Sequence, residues 1–554
     1  MLSIVKSASG GKKVIFLICI CISQQVSQCR AEDKGTLLWS FHGTESMTCV
    51  SSIRDVNGNG FNDVLVGTWN DTLFCFEGKS QDSAIILWTF TFGRFDDLIT
   101  DTDTISDVNG DGICDVVVSS FGHEVFCLDG QSGDTIWMFY ANSVKNLFPK
   151  EKSSTYTWLQ PMGDVNGDGI CDVVVVPREL YKAFCIDGAS KDSATVLWSF
   201  PLSGYARSSY SVTSLKDVNG DSVAEAVIGA SESSGHPVSC VYCISGKTGD
   251  TLWIYDNPEM AAECVSTIED VNNNGTQDVL LGTQLTPYKA YCLEGNTGKV
   301  IWEYSAGANM LKIISIDDIN GDGKREAILG CGSGSGGYLV ACIEGDSDSL
   351  GHLLWSFPAG YIVNHLEQTS DIDGDLIRDI AVGTWNGHIF CISGKTGTPI
   401  WSYSGTDTTS FGDIMGMTTL KDVNGDGFDE VVGVTYGGGS HHGEVWCISG
   451  KAYRIEEKPN PAKAGSKITA LPNPFVNSTT IRYLLPAGDK KAKITIHDVS
   501  GRLVRQFPAN SSQLTNNEIK WDGKDNNNKT LPAGIYFIKS NTNENSLQKL
   551  VKLR

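Results

Sequence analysis

The chain has 554 residues, 60 of them glycine, and a formal net charge of −22. A hydrophobic content of 41% and an aromatic content of 9% exclude a disordered chain. The lack of a basic stripe excludes a nucleic-acid partner, because nothing is there to neutralise phosphates.

Residues 1–31 read as a secretory signal peptide. Lys6, Lys12 and Lys13 precede the apolar stretch Val14 to Ile22, and cleavage is expected after Cys29 or Ala31. The apolar run is too short to span a bilayer as a mature helix, so no transmembrane segment is expected after its removal. The mature chain is expected to be secreted or attached to the outer cell surface.

The next element, GTLLWSF (Gly35 to Phe41), is a strand carrying Trp39. An acidic loop then appears eight times, starting at Asp55, Asp107, Asp164, Asp217, Asp270, Asp318, Asp371 and Asp422. The spacing of 48 to 57 residues is close to the period of a four-stranded propeller blade. Positions one, three, five and nine carry oxygen side chains. They are Asp55, Asn57, Asn59 and Asp63 in the first copy, and Asp107, Asn109, Asp111 and Asp115 in the second. Asp164, Asn166, Asp168 and Asp172 follow, then Asp217, Asn219, Asp221 and Glu225, then Asp270, Asn272, Asn274 and Asp278. The last three copies present Asp318, Asn320, Asp322 and Glu326; Asp371, Asp373, Asp375 and Asp379; and Asp422, Asn424, Asp426 and Glu430.

Several hard oxygens on a tight, glycine-bearing turn suit Ca²⁺ better than Mg²⁺, and no soft ligand is present for zinc. The competing reading is an Asx turn that holds no metal. The carboxylates of these loops are about as many as the net negative charge, so the acidity is local rather than spread over a solvated surface. Copies at Asp107, Asp164, Asp318 and Asp422 are complete, whereas Ser222 and Leu376 replace a glycine in two others. The copies at Asp55 and Asp270 carry Asn59 and Asn274 where the rest have Asp, and are expected to bind most weakly. Any bound Ca²⁺ is expected to be structural, since catalytic use needs an open position and a nearby base.

Each loop is followed by a β-rich run and, in seven copies, by a strand, a tight turn and a strand ending in Trp, as in Phe126 to Phe139. Trp88, Trp137, Trp198, Trp253, Trp302, Trp355 and Trp401 mark that last strand in seven copies, and the eighth lacks it. The strand around Trp39 supplies the missing one. An eight-bladed β-propeller over residues 35–452, closed by its N-terminal strand, is the simplest all-β architecture, and closure removes exposed sheet edges. Strands A and B flank the acidic loop, C carries a repeated Cys, and D carries the Trp. The repeated Cys residues (Cys75, Cys127, Cys185, Cys243, Cys292, Cys342, Cys391 and Cys447) are expected to be small buried core residues rather than disulfide partners.

Residues 453–465 read as a polar linker. Residues 466–554 alternate in the manner of a small immunoglobulin-like β-sandwich.

The acidic loops resemble FG-GAP/VCBS-type propeller repeats, as in integrin α-subunit heads. The Trp strands resemble the repeats of quinoprotein dehydrogenases and of a propeller lipoprotein of outer-membrane assembly. The C-terminal segment resembles the type IX secretion (Por) sorting domain through NPF (Asn473 to Phe475), IHDVSGRLVR (Ile496 to Arg505), WDGKD (Trp521 to Asp525) and AGIYFIK (Ala533 to Lys539). That resemblance implies export from a Gram-negative cell, with the type IX machinery as a partner.

For function, no G-x-S-x-G or H-E-x-x-H motif and no vicinal Cys pair is present, and no base–metal constellation can be assigned. The expectation is a non-enzymatic binding, adhesion or envelope scaffold module. The alternatives are a quinoprotein-like oxidoreductase and a Ca²⁺-dependent polysaccharide-active enzyme. Variable loops on a rigid ring are where binding usually resides. Trp69, Trp385, His388, His441 and His442, from blades adjacent on a closed ring, are the candidate patch for a protein or glycan ligand.

Overall fold

A computed structural model describes residues 34–553 apart from 94–97, 142–155, 179, 203–208, 232–239, 258–260, 347, 406–411, 438–441, 452–467, 472–474, 484–493, 499–501, 508–517 and 541–546. The signal segment, the linker and His441 lie outside the described residues. Among the described residues no helix is long and apolar enough to cross a membrane. The chain divides into two compact units, Met1–Arg454 and Ile455–Arg554.

The first unit is propeller-like and all-β. Its described strands form eight sheets, each with four antiparallel strands in the order A–B–C–D, two of them with an added two-residue strand. In the first sheet these are Met47–Ile53, Asp63–Thr68, Thr72–Phe76 and Ile86–Thr91. The B strands are buried on both faces, as in Asp63–Thr68, and so read as apolar runs rather than alternations. The eighth sheet has Ile414–Leu420, Glu430–Thr435 and Glu444–Ser449, and its fourth strand is the N-terminal Thr36–His42. Trp39 pairs there with Cys447. The same Trp–Cys pair recurs across C and D in the other seven sheets, for example Cys127 with Trp137. All eight of these Cys residues are fully buried, and every described Cys is a free thiol.

Neighbouring sheets are tied by one repeated hydrogen bond. The indole Nε1 of each D-strand Trp donates to a glycine carbonyl at the C–D turn of the next sheet. Trp88 reaches Gly130, Trp137 reaches Gly188, and so on to Trp401 and Gly450, over 2.6–3.1 Å. Trp39 reaches Gly78 of the first sheet at 2.9 Å. The A strands also contact one another in sequence order, and Ile414–Leu420 contacts Met47–Ile53. Apolar clusters fill the space between adjacent sheets, one of them joining Trp39, Val64, Phe76, Val432 and Cys447. Burying each such aliphatic or aromatic side chain contributes about 1.5–3 kcal/mol.

The second unit has a three-stranded sheet (Ile468–Leu471, Thr479–Tyr483, Glu518–Trp521) and a four-stranded one. The latter runs Leu503–Phe507, Ile494–Asp498, Gly534–Ser540, Leu547–Lys552. Phe475, Ile481, Ile496, Trp521 and Ile538 form its core. All four of the motifs noted in the sequence thus supply core residues: Phe475 from NPF, Ile496 from IHDVSGRLVR, Trp521 from WDGKD and Ile538 from AGIYFIK.

Candidate metal loops and ligand face

The acidic loops join strands A and B and share one hydrogen-bond scheme. In the second copy the position-one carboxylate, Asp107, accepts from Gly110 N at 2.6 Å and Gly112 N at 2.7 Å. Asn109 Oδ1 accepts from Asp111 N and Asp111 Oδ1 from Ile113 N. Gly110 and Gly112 have φ of 84° and 92°, the left-handed region where a Cβ is costly. Ser222 and Leu376 hold the same left-handed conformation, at 68° and 75°. Their N–H groups still reach Asp217 and Asp371, at 2.7 and 2.8 Å. Loss of the glycine therefore leaves this contact intact, and the strain falls on those two residues.

The position-nine acid has a second role. It is fully buried in all eight copies. In the second copy Asp115 Oδ2 accepts from Val108 N at 2.6 Å, and Oδ1 accepts from Gly130 N at 2.9 Å. The carboxylate thus clamps the A–B loop to the C–D turn. A Cβ at Gly130 would lie 2.0 Å from Cys114 O, so the two backbones approach more closely than any other residue allows. Asp63, Asp172, Asp278 and Asp379 make the same pair of bonds. Glu225 does so more loosely, at 3.3 and 3.1 Å. Glu326 and Glu430 differ. Their Oε2 atoms accept from Ile319 N and Val423 N, while their Oε1 atoms are buried without a hydrogen-bond partner. Burial pushes the carboxyl up to about 6 at Asp115, about 7 at Asp379, and about 8 at Glu326 and Glu430.

Four described loops bring three acidic ligand atoms within 4.8 Å of one another: Asp217, Asp221 and Glu225; Asp318, Asp322 and Glu326; Asp371, Asp373 and Asp379; Asp422, Asp426 and Glu430. These clusters could hold a metal ion. The donor set is all oxygen, and the orphaned buried oxygens of Glu326 and Glu430 fit a cation, because an unpaired buried carboxylate is costly. The loops at Asp107 and Asp164, complete in sequence, are not among the four, and neither are the Asn-bearing loops at Asp55 and Asp270.

Sequence reasoning missed the residue that ends strand C. Glu77 accepts from Asn59 Nδ2 at 2.9 Å, and Glu294 accepts from Asn274 Nδ2 at 2.9 Å. Only part of a signal was present: this position, just before the repeated glycine of the C–D turn, is Glu in both Asn-bearing copies, but it is also Glu344 in loop six, where position five is Asp322.

It also missed the A strands as a group. Asp101 and Asp103, Glu263, Lys312, and His365 with Glu367 stand on A strands of four sheets. Lys312 acts electrostatically on Asp101, His365 and Glu367, which places them around one shared interior. Burial pushes Asp101 up to about 7 and His365 down to about 3. Asp101, Lys312 and His365 each lie six residues before an acidic loop, where the other copies carry Cys49, Trp158, Ser211, Cys264 and Gly416.

At the B–C end of the sheets Trp69 and Trp385 are 44% and 40% exposed, whereas every other described Trp is buried or half-buried. Trp69 meets the ring of Tyr436 edge-on at 5.6 Å. His442 Nδ1 lies 2.7 Å from Thr44 O, and His42 Nδ1 lies 3.1 Å from Glu444. The structure thus draws Trp69, Tyr436 and His442 to the junction of the eighth and first sheets. Trp385 and His388 belong to the seventh sheet, where His388 stacks on Phe390 at 6.0 Å. Tyr338 and Tyr361 add a second exposed aromatic pair, stacked at 5.6 Å.

Residues 172–403 match the family model described as outer membrane protein assembly factor BamB. Residues 475–546 match the FlgD Ig-like domain. No curated protein matches the sequence. Among solved structures, Sqt1 of Saccharomyces cerevisiae is 13% identical, with a TM-score of 0.54 over 75% of this chain and 99% of that chain. Quinohemoprotein alcohol dehydrogenase of Comamonas testosteroni is 11% identical, with a TM-score of 0.49 over 76% and 77%. BamB of Moraxella catarrhalis is 13% identical, with a TM-score of 0.42 over 74% and 97%. With the repeated four-stranded sheets, these matches describe an all-β, propeller-like unit that is similar to BamB over residues 172–403, followed by an immunoglobulin-like C-terminal domain.

Proposed function

We propose that this protein is a non-enzymatic scaffold: an eight-bladed propeller closed by its N-terminal strand, stiffened by structural Ca²⁺, that binds a protein or glycan through its variable face. The observation that carries the reading is the division of residue types between the two ends of the sheets. The A–B end carries the same acidic loop in all eight copies, whereas the B–C end presents an exposed tryptophan in only two of them, Trp69 and Trp385. Aromatic faces suit sugar rings and peptide side chains. Eight Trp-to-glycine bonds, with Trp39 bonded to Gly78, support the closed ring. The buried, unpartnered oxygens of Glu326 and Glu430 support the Ca²⁺. The assembly-factor family matched by residues 172–403 supports an envelope scaffold over an oxidoreductase.

We further propose that residues 466–554 address the chain to the type IX secretion machinery, supported by the motifs around Phe475, Ile496 and Trp521. Fractionation of cells expressing the full chain, or a chain ending at residue 465, tests the address: surface material is expected only from the full chain, and equal export of both contradicts it. Screening glycan and peptide panels with the unaltered protein and with Trp69→Ala/Trp385→Ala tests the face. Binding lost in the variant supports it, and unchanged binding overturns it.

A further inference from the structure

We infer that the eight acidic loops are not equivalent: loops six and eight are the tight Ca²⁺ sites, and loops one and five are closed by an amide–carboxylate hydrogen bond in place of an ion. The inference rests on the Ca²⁺ reading above and assigns it to particular loops.

The loops differ in how many carboxylate oxygens they have already committed to backbone N–H groups. In loops one, two, three, five and seven the position-nine side chain is Asp, and its two oxygens are each taken by a backbone N–H. In loops six and eight it is Glu. The longer side chain keeps one bond, to Ile319 N at 3.0 Å or Val423 N at 2.8 Å. The other oxygen is fully enclosed and unpartnered. Asp318 with Asp322, and Asp422 with Asp426, bring two more carboxylates within 4.8 Å of Glu326 and Glu430. Three converging carboxyl groups, one of them buried with a free oxygen, fit a cation, which would supply the partner that the buried oxygen lacks. Loop four also has Glu, but Glu225 spends both oxygens on backbone N–H groups.

Loops one and five lie at the other extreme. Asn59 Oδ1 accepts from Phe61 N, and Asn274 Oδ1 from Thr276 N, the bond that Asp111 Oδ1 makes with Ile113 N. The amide NH₂ therefore stands where the second carboxylate oxygen of Asp would stand. It is a donor, which repels a cation, and it donates to Glu77 or Glu294. Asn57 and Asn272 donate to the same Glu oxygens, at 3.4 and 3.2 Å. A hydrogen bond from position five thus joins the loop to the end of strand C in these two copies; loop six carries Glu344 at the same strand end, but there the donor is Asn320 at position three, and position five keeps the carboxylate of Asp322.

Calcium titration of the chelator-stripped full chain, read by equilibrium dialysis and metal analysis, tests the assignment. The unaltered protein is expected to hold two ions tightly. Glu326→Asp/Glu430→Asp keeps the charge and places at position nine the residue that five other loops carry, so folding is preserved. It is expected to lose both tight ions, with at least a tenfold fall in affinity. Asn59→Asp/Asn274→Asp is expected to gain up to two ions. Glu77→Ala/Glu294→Ala is expected to lower the melting temperature in chelator while leaving the ion count unchanged. Eight equal tight sites, or tight sites that survive the Glu-to-Asp changes, overturn the assignment alone. A chain that binds no Ca²⁺ overturns both the assignment and the reading beneath it.

Discussion

Two acidic regions of the propeller unit use the same side chain to opposite electrostatic effect. The position-one carboxylates of the loops are half-buried or exposed and accept several backbone N–H bonds, which hold the exposed Asp164 and Asp217 below the usual carboxylate range. Asp101, on an A strand, also accepts backbone N–H bonds, from Leu159 at 3.0 Å and Thr102 at 3.0 Å, yet burial outweighs them and pushes it up to about 7. Position in the sheet, not residue type, decides whether a carboxylate organises backbone or carries a stored cost. The loops repeat, and in six of the eight the position-nine acid clamps the loop to the C–D turn. The A-strand charges do not repeat, as expected of residues kept for something other than folding the blade.

That contrast is broken first by removing the repeated parts. Trp137→Ala deletes a fully buried indole and its bond to Gly188, and is expected to cost about 3–5 kcal/mol, measured as a lower urea midpoint. Trp39→Ala is expected to cost a similar amount, because Trp39 makes the same bond between the eighth and first sheets. A loss below about 1 kcal/mol for Trp39→Ala would mean the N-terminal strand is dispensable and the ring reading is wrong.

A smaller effect tests the A strands. The carboxyl of Asp101 is raised in the folded chain, so the fold binds its proton more tightly than the unfolded chain does. Its contribution to stability is fully present below about pH 4 and is lost as the pH rises through about 7. Asp101→Asn removes this dependence, so its melting temperature is expected to rise relative to the unaltered protein between pH 4 and 8. His365, held neutral with its pKa near 3, contributes the opposite slope on acidification and cancels in that comparison. A difference that is flat with pH would show that Asp101 titrates normally.

The smallest effect on stability is expected at the unrepeated aromatics. Trp69→Ala is expected to shift the unfolding free energy by no more than about 0.5 kcal/mol, since Trp69 is 44% exposed. A large loss would make it a packing residue rather than a recognition residue.

The repeat was legible in the sequence because it is written eight times at fixed spacing, and Trp39 before the first loop pointed to its pairing with the last C strand. The loop ligands were legible as residue types but not as a ranking. Residue type ranks the complete loops at Asp107, Asp164, Asp318 and Asp422 together. Geometry separates Glu326 and Glu430 from the other two, because Asp115 and Asp172 spend both oxygens on backbone N–H groups whereas the two Glu residues keep one oxygen free. The Glu77–Asn59 and Glu294–Asn274 pairs were hidden by their separation of about 20 residues, bridged only when strands B and C fold back. Asp101, Lys312, His365 and Glu367 were hidden more deeply. They are scattered over three A strands far apart in sequence, and only the arrangement of those strands brings them near one another.

Thermal unfolding of the purified mature chain, with and without chelator and alongside metal analysis, tests the central claim most directly. The account predicts bound Ca²⁺ and a large fall in the melting transition of the propeller unit on chelation, with the transition of the C-terminal unit unmoved. A chain without bound calcium, or a propeller transition indifferent to chelator, would contradict it and leave the acidic loops as metal-free turns held by their own hydrogen bonds.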